Sequence, residues 1–473
     1  MSTTSQTGQT PPGSSGEGEA ALADLGYKQE LRRSLTTTDL LVYGLVFMVP
    51  IAPWAIYGTV YNSAAGMVPL VYLIGLVAMI FTALAYAQMS KAFPVAGSVY
   101  AYVGRGVHPN LGFLAGWTIL LDYLLVPTLL YVIAALSMEG IAPGVPRWVW
   151  IVVFLAINTT VNYVGISFTA VVNRIFLAAE LLFIVAFVVI AVIAISNGTD
   201  GARFTTTPLF DAASFSPGLV ATALSIAVLS FLGFDGIATL SEESRGGRSS
   251  AGRAMILGLV VVALLFVTQT WLAGMLVPDT ASFSEDEAGN AFFSIVQGAA
   301  GRGWQVAFLV MNVLAVGIAN AVAAQSATSR LLFSMARDRR LPRFLAHVNP
   351  KNQVPDRAIL LIGALTLVLG LVFNSLGLDV IASLVNFGAL TAFLLLHVSV
   401  VSYYGVRRRS SNVLLHWVVP IIGFAVIAYV LYSAGTEAQV GGLCWLAVGV
   451  VVLVVQRLRG RRGIEVAPEH AAR

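Results

Sequence analysis

Three acids, Asp122, Glu180 and Asp235, lie inside long apolar stretches of the chain. A charge near the middle of a membrane-spanning helix costs about 2.5–3.5 kcal/mol on insertion scales, so acids kept there usually face a partner or a water-filled cavity. In such a place a carboxylate can hold an ammonium group or take up and release a proton. The chemistry on offer is carriage of something polar or cationic through an apolar layer. Asp235 sits between glycines in Gly233-Phe234-Asp235-Gly236. It can contact substrate or a proton, or it can cap backbone amides of the half-helix that follows. Asp122 lies about 12 residues into its helix, about 18 Å deep at 1.5 Å per residue. Glu180 lies about as deep, and Arg174, its nearest opposite charge in sequence, is off its helical face. That makes Glu180 a candidate proton acceptor, against the plainer role of an acid hydrogen-bonded inside a bundle.

The elements that must position these acids are membrane helices. Hydrophobic residues make up 58% of the chain and charged ones 11%, a balance that no soluble core of this length needs. At about 20 apolar residues per span, the sequence predicts twelve spans, near 38–61, 66–90, 110–137, 146–165, 168–195, 217–240, 253–277, 303–329, 357–374, 377–404, 413–432 and 438–457. Together they form one membrane domain over 38–457, with no soluble domain inserted. Residues 1–37 read as a disordered cytoplasmic tail, rich in Ser, Thr, Gly, Pro and Gln at its start, and 458–473 as a basic cytoplasmic tail. Lys28, Arg32, Arg33, Lys91, Arg105, Arg245, Arg248, Arg253, the Arg330–Arg357 cluster and Arg407–Arg409 all fall on one side of such a topology, with Arg147, Arg203 and Arg302 on the other. Cytoplasmic loops retain positive charge, so both termini are expected inside. The formal charge of +4 is thus a topology signal, with some attraction to anionic lipid and no suggestion of nucleic acid. Cys444 is the single cysteine, which leaves no disulfide framework and no cysteine metal cluster.

Two predicted helices carry residues that break an ordinary helix. Val49-Pro50-Ile51-Ala52-Pro53 removes two backbone donors in the first. Gly233-Phe234-Asp235-Gly236 loosens the backbone of the sixth. Five helices separate them in order, the spacing of an inverted five-plus-five repeat in which helices 1 and 6 occupy matching positions and form a midplane site. Irregular backbone in a bilayer is tolerated where it lines a cavity or is buried in protein.

The run Ala92-Phe93-Pro94-Val95-Ala96-Gly97-Ser98-Val99-Tyr100-Ala101-Tyr102, leading to Gly112-Phe113-Leu114-Ala115-Gly116-Trp117 and Leu121-Asp122-Tyr123, resembles the loop and third helix of amino-acid/polyamine/organocation (APC) superfamily permeases. Phe231-Leu232-Gly233-Phe234-Asp235-Gly236 with Ser241-Glu242-Glu243 is similar to their sixth helix and its cytoplasmic end. Ser329-Arg330-Leu331-Leu332-Phe333-Ser334-Met335-Ala336-Arg337-Asp338, with Leu341-Pro342 and Val354-Pro355, is similar to the segment joining helices 8 and 9. The similarity covers roughly residues 30–460 and is nearest in pattern to bacterial putrescine-importer-like and related amino-acid permeases. It implies an all-α integral membrane protein with a leucine-transporter-like core of ten helices and two further helices at the carboxy terminus. The chain departs from the superfamily in two places. Many members have a Gly-Ser-Gly-type run in broken helix 1, where backbone donors hold a substrate carboxylate, but here Pro50 and Pro53 offer no N–H. Some proton-coupled relatives have a lysine in helix 5, whereas this chain has Glu180 there.

These patterns place substrate contact at Pro50, Ile51, Ala52, Pro53, Phe231, Gly233, Phe234 and Asp235. Candidates for proton coupling are Asp122, Glu180 and Asp235. Glu242 and Glu243, beside Arg245 and Arg248 and close to solvent, are candidates for a cytoplasmic gate or loop salt bridge. Trp54, Tyr57, Tyr123, Phe231 and Phe234 lie near the breaks, where an amine over a ring gains about 0.5–2 kcal/mol, although core packing is the commoner use of any one of them. Asn312, Asn320, Asn386 and His397 suit inter-helix hydrogen bonding. The expected function is a secondary active permease of the cytoplasmic membrane, moving amino acids or related amines by alternating access and coupled to protons, with a putrescine or polyamine importer as the narrower alternative. A channel or a transport-like sensor is the rival of another class. Enzyme motifs such as H-E-x-x-H are absent, and no cofactor or metal is implied.

Overall fold

The computed structural model describes residue 28 and residues 30–142, 144–247, 249–277, 282–373 and 378–458. Most of the expected tails, 1–37 and 458–473, lies outside those residues, as does Arg248. Every regular element among the described residues is helical, and the one extended pairing is an isolated bridge between Leu35 and Ser244. Eleven helices are long and apolar enough to cross a membrane, and a bent pair, Thr37–Met48 with Pro53–Ser63, makes twelve when counted as one span. Span 1 is that pair. Spans 2 to 6 are Val68–Ala92, Pro109–Ala135, Arg147–Val164, Ala170–Asn197 and Pro217–Thr239. Spans 7 to 12 are Ser250–Met275, Arg302–Arg337, Asp356–Phe373, Ile381–Arg407, Leu414–Tyr432 and Ala438–Leu458.

Burial separates the spans into core and periphery. In the most apolar stretch of span 3, 89% of residues are buried within the protein, against 22% in span 12, so span 3 runs through the centre and span 12 leaves most of its surface for lipid. Small residues let the central spans approach: a Cβ added at Gly388 of span 10 would stand 2.7 Å from the Thr118 carbonyl oxygen of span 3.

Three spans are irregular, each for a local reason. In span 1 the halves meet at 53°. Pro50 and Pro53 cannot donate back to Val46 and Val49, whose carbonyls accept instead from Val49 and Ala52 in tight turns at 3.3 and 2.8 Å. Val49 takes a φ of +52°, which leads the chain off the helix axis. In span 6 the helix Pro217–Ala227 tightens into a 3-10 turn at Val228–Phe231, passes through extended Leu232, and resumes only at Gly236–Thr239. Gly233 has a φ of +114°, and a Cβ there would lie 2.9 Å from the Phe47 backbone, so the turn and the close approach to span 1 both require glycine. Span 8 contains neither proline nor a kinking pair, yet Ala315–Asn320 winds as a π-helix. Span 4 faces that segment with amide side chains: Asn158 Nδ2 donates to the Gly317 carbonyl at 2.8 Å, and Asn162 Nδ2 to the Val322 carbonyl at 3.0 Å.

Replacing Asn158 by Leu removes the donor that holds the Gly317 carbonyl. The expected loss is about 0.6–1.7 kcal/mol, the range measured for inter-helix hydrogen bonds in membranes. Unfolding of the purified variant in detergent checks it, and unchanged stability would show that the π segment holds itself.

Candidate functional site

The breaks of spans 1 and 6 face each other across a cavity of about 90 Å³. Span 1 contributes Phe47, Met48, Val49, Ala52, Ala55 and Ile56, and span 6 contributes Leu229, Ser230, Leu232 and Gly233. Span 3 lines it from Asp122 to Ile133, and the π segment of span 8 adds Val316 and Asn320. The walls are apolar apart from Asp122, Ser230, Asn320 and backbone. No lysine or arginine lines it among the described residues.

Asp122 is 2% exposed and turns into this cavity. No hydrogen-bond donor among the described residues reaches its carboxylate. Asp235 is differently placed. Its Oδ2 accepts from Tyr123 Oη at 2.6 Å and its Oδ1 from the Gly233 amide at 3.3 Å, so it ties span 6 to span 3 and caps its own break. Asp235 does not line the cavity, and Tyr123, which holds it, is the next residue to Asp122 in the chain.

Of the other residues expected at the site, Ala52 and Gly233 line the cavity and Pro50, Ile51 and Pro53 form the buried break beside it. Phe231 and Phe234 pack elsewhere. Phe231 contacts Tyr72 and Phe266 at ring-centroid distances of 5.9 and 5.4 Å, and Phe234 contacts Tyr86 and Phe393 at 5.7 and 5.9 Å. The break leaves Leu232 and Gly233 at the cavity and turns Phe231 and Phe234, on either side of them, into the core. Trp54 stacks on Phe292 at 4.9 Å.

Gln269 of span 7 completes the break in span 1. Its Nε2 donates to the Pro50 carbonyl at 2.9 Å, and its Oε1 accepts from Trp54 Nε1 at 2.6 Å. The Pro50 carbonyl is free because Trp54, its helical partner, donates to Ile51 instead. Neither Gln269 nor the Tyr123 bond to Asp235 follows from sequence spacing. A lone amide in the last third of a largely apolar helix, between Thr268 and Thr270, is the signal that points to Gln269.

Glu180 in span 5 is fully buried, and neither oxygen has a hydrogen-bond partner among the described residues. Arg174 is committed elsewhere, in an ion pair with Asp39. Asn386 Nδ2 donates to the Ser225 carbonyl at 3.1 Å and His397 Nε2 meets Thr82 Oγ1 at 3.2 Å, both between helices as expected.

Glu242 and Glu243 are buried at 1% exposure, not solvent-facing, and their partners come from span 8 instead of the adjacent arginines. The short turn Ser241–Glu243 tucks both carboxylates under the bundle, where span 8 presents Arg330 and Arg337 two turns apart. Arg330 forks onto Glu243. Arg337 bonds both oxygens of Glu242 at 3.0 and 2.6 Å, and the Ala96 amide adds a third bond at 2.8 Å. The Glu243 carbonyl accepts from the amides of Ser34 and Leu35 at 3.1 and 3.0 Å, and Arg33 grips the Ser244 carbonyl at 2.7 Å. Arg245 Nε reaches only the Arg33 carbonyl. The strap before span 1, the end of span 6 and span 8 are thus joined at one face, which closes the bundle beneath the cavity.

An all-helical bundle that crosses the membrane many times, with two interrupted helices around a small central cavity, is the architecture of a membrane transporter for small molecules. Residues 39–436 match the amino acid permease family model, and the chain belongs to that family, within the APC superfamily. It is 30% identical over 429 residues to the low-affinity putrescine importer PlaP of Escherichia coli, covering 90% of this chain and 93% of that protein. It is 25% identical over 455 residues to the branched-chain amino acid permease BcaP of Bacillus subtilis, and 26% identical over 455 residues to the methylthioribose transporter of the same organism, each covering 90% of this chain and 93% of the relative. The chain is a multi-pass membrane permease and not an enzyme.

Glu243→Gln leaves the Arg330 guanidinium buried without its countercharge. Stability is expected to fall by about 3–5 kcal/mol, with faster hydrogen exchange at the Leu35 amide. Adding Arg330→Met should recover part of the loss, and unchanged unfolding and exchange in the single variant would show that the pair does not hold this face.

Proposed function

We propose that the chain is a secondary active permease for small molecules carrying an ammonium group, amino acids or related amines, working by alternating access around the breaks of spans 1 and 6. One observation carries the choice of chemistry: the cavity wall holds a buried carboxylate, Asp122, and no lysine or arginine among the described residues. The amides of Val49, Ala52 and Trp54 are engaged within the first break, and Pro50 and Pro53 have none. The amides of Leu232, Gly233 and Gly236 are engaged within the second. The polar side chains on the wall are the Asp122 carboxylate, the Asn320 amide and the Ser230 hydroxyl, and no donor among the described residues reaches Asp122. An ammonium group suits a wall with one carboxylate and no cation, whereas a substrate carboxylate would meet the like charge of Asp122 with no counter-ion. A di- or polyamine such as putrescine is therefore the narrower reading, in keeping with the name of the E. coli relative.

In this account Asp122 contacts the amine, and Asp235, held by Tyr123 beside it, and Glu180 are the candidates for binding the coupling proton. The strap and the two glutamate–arginine pairs form the gate on the basic face, which the charge bias places in the cytoplasm with both termini. An inward membrane potential adds about 2.3 kcal/mol per substrate charge per 100 mV, which favours uptake of cations.

Uptake into proteoliposomes containing the purified chain tests the proposal, with radiolabelled putrescine and radiolabelled leucine offered separately. Asp122→Asn is expected to cut amine uptake at least tenfold while the protein still inserts and keeps its melting temperature. Asp235→Asn is expected to abolish uptake driven by a pH gradient. Near-normal amine uptake by the Asp122 variant would remove the cavity carboxylate from recognition, and near-normal gradient-driven uptake by the Asp235 variant would remove that acid from coupling.

A further inference from the structure

A second and larger cavity, about 490 Å³, opens on the basic face, away from the breaks. It lies where span 2 ends at Ala92, span 10 ends at Arg407 and span 11 begins at Leu414. Lys91 and Arg408 stand on its rim, with Gln88, Asn412, Tyr403, Tyr404 and His416 in its walls. No carboxylate lines it among the described residues.

Several other cations on this face are already held. Arg330 and Arg337 are held by glutamates, Arg33 and Arg245 by backbone carbonyls, and Arg407 by the carbonyls of Arg105 and Val107. The Lys91 ammonium has no partner among the described residues, and the Arg408 guanidinium lies over the Tyr403 ring at 5.0 Å with no carboxylate to pair with. The floor beneath them is built and rigid. Tyr404 stacks on His416 at 4.3 Å, with the rings 3° from parallel, and its hydroxyl donates to the Gln88 carbonyl at 3.0 Å. His416 Nδ1 meets Ser410 Oγ at 2.8 Å. Asn412 Oδ1 accepts from the Leu415 amide at 3.1 Å, which caps the start of span 11.

From this placement we propose that the cavity binds the phosphodiester headgroup of an anionic phospholipid. Two unpaired cations over an aromatic floor at the edge of the apolar layer recognise a phosphate, and basic pockets between helices on such a face are suited to lipid headgroups. The flank of the cavity favours a lipid over free phosphate. Val406, Val413, Leu414 and Val418 are 59, 58, 63 and 40% exposed, and together they give acyl chains an apolar surface beside the headgroup. The site is independent of the transport cavity.

Native mass spectrometry and thermal unfolding of the full-length protein in detergent test this, with dioleoylphosphatidylglycerol, dioleoylphosphatidylcholine and inorganic phosphate as separate probes. Phosphatidylglycerol is expected to remain bound and to raise the melting temperature saturably, while the zwitterionic lipid and millimolar phosphate do neither. The double variant Lys91→Ala with Arg408→Ala is expected to weaken phosphatidylglycerol binding roughly 30-fold, about 2 kcal/mol at about 1 kcal/mol per cation. Its melting temperature without lipid should match that of the parent. Equal retention of both lipids, or undiminished phosphatidylglycerol binding by the double variant, would overturn the proposal. A saturable shift with inorganic phosphate alone would overturn the lipid assignment in favour of a soluble anion.

Discussion

Inside a bilayer every backbone polar group must find a partner within the protein, and the structure is organised around the places where two spans cannot supply their own. Prolines in span 1 and glycines in span 6 strip the helices of their regular bonds, and polar side chains, from other spans or from the break itself, replace them. Gln269 takes the Pro50 carbonyl, Asp235 takes the Gly233 amide, and Asn158 serves the Gly317 carbonyl in the π segment of span 8. Each substitute comes from a polar residue that an apolar helix would otherwise avoid. The breaks are thereby held in one geometry, and the cavity between them inherits whatever polar capacity is left over.

That remainder supports the proposed substrate chemistry. Several backbone donors are consumed in closing the breaks, and among the described residues Asp122 is the one carboxylate that faces the cavity, with no lysine or arginine beside it. A break built from glycine and serine would have kept free amides for a substrate carboxylate; prolines cannot. The closed face below follows the same rule. Glu242 and Glu243 are buried, and each is matched by an arginine from span 8, so opening that face means separating two charge pairs and releasing the strap at Leu35 together. If this face is the proposed gate, the two pairs part together because they share one turn of backbone.

The legible part of this in the sequence is local. Twelve spans can be read from apolar length, and the breaks of spans 1 and 6 from Pro50, Pro53, Gly233 and Gly236, because these residues act on their own backbone. Partnerships between spans are not legible in the same way. Arg245 and Arg248 are adjacent to Glu242 and Glu243 in sequence, yet Arg330 and Arg337 hold them, since the turn at Ser241–Glu243 points the carboxylates toward span 8. Phe231 and Phe234 flank the break but pack into the core, because a one-residue change of twist at a glycine decides which side chain meets the cavity. The π segment of span 8 has no proline or glycine pair to announce it, and it is recognisable only with Asn158 opposite.

The central claim is that this cavity recognises a positive charge through Asp122 and has no cation among its described lining residues to hold a negative one. Equilibrium binding of matched four-carbon ligands to the purified protein tests it most directly: 1,4-diaminobutane, butylamine and butyrate, measured by calorimetry under one buffer condition. The account predicts saturable binding of the two amines, abolished by Asp122→Asn, and none of butyrate. Binding of butyrate with no binding of either amine would contradict it.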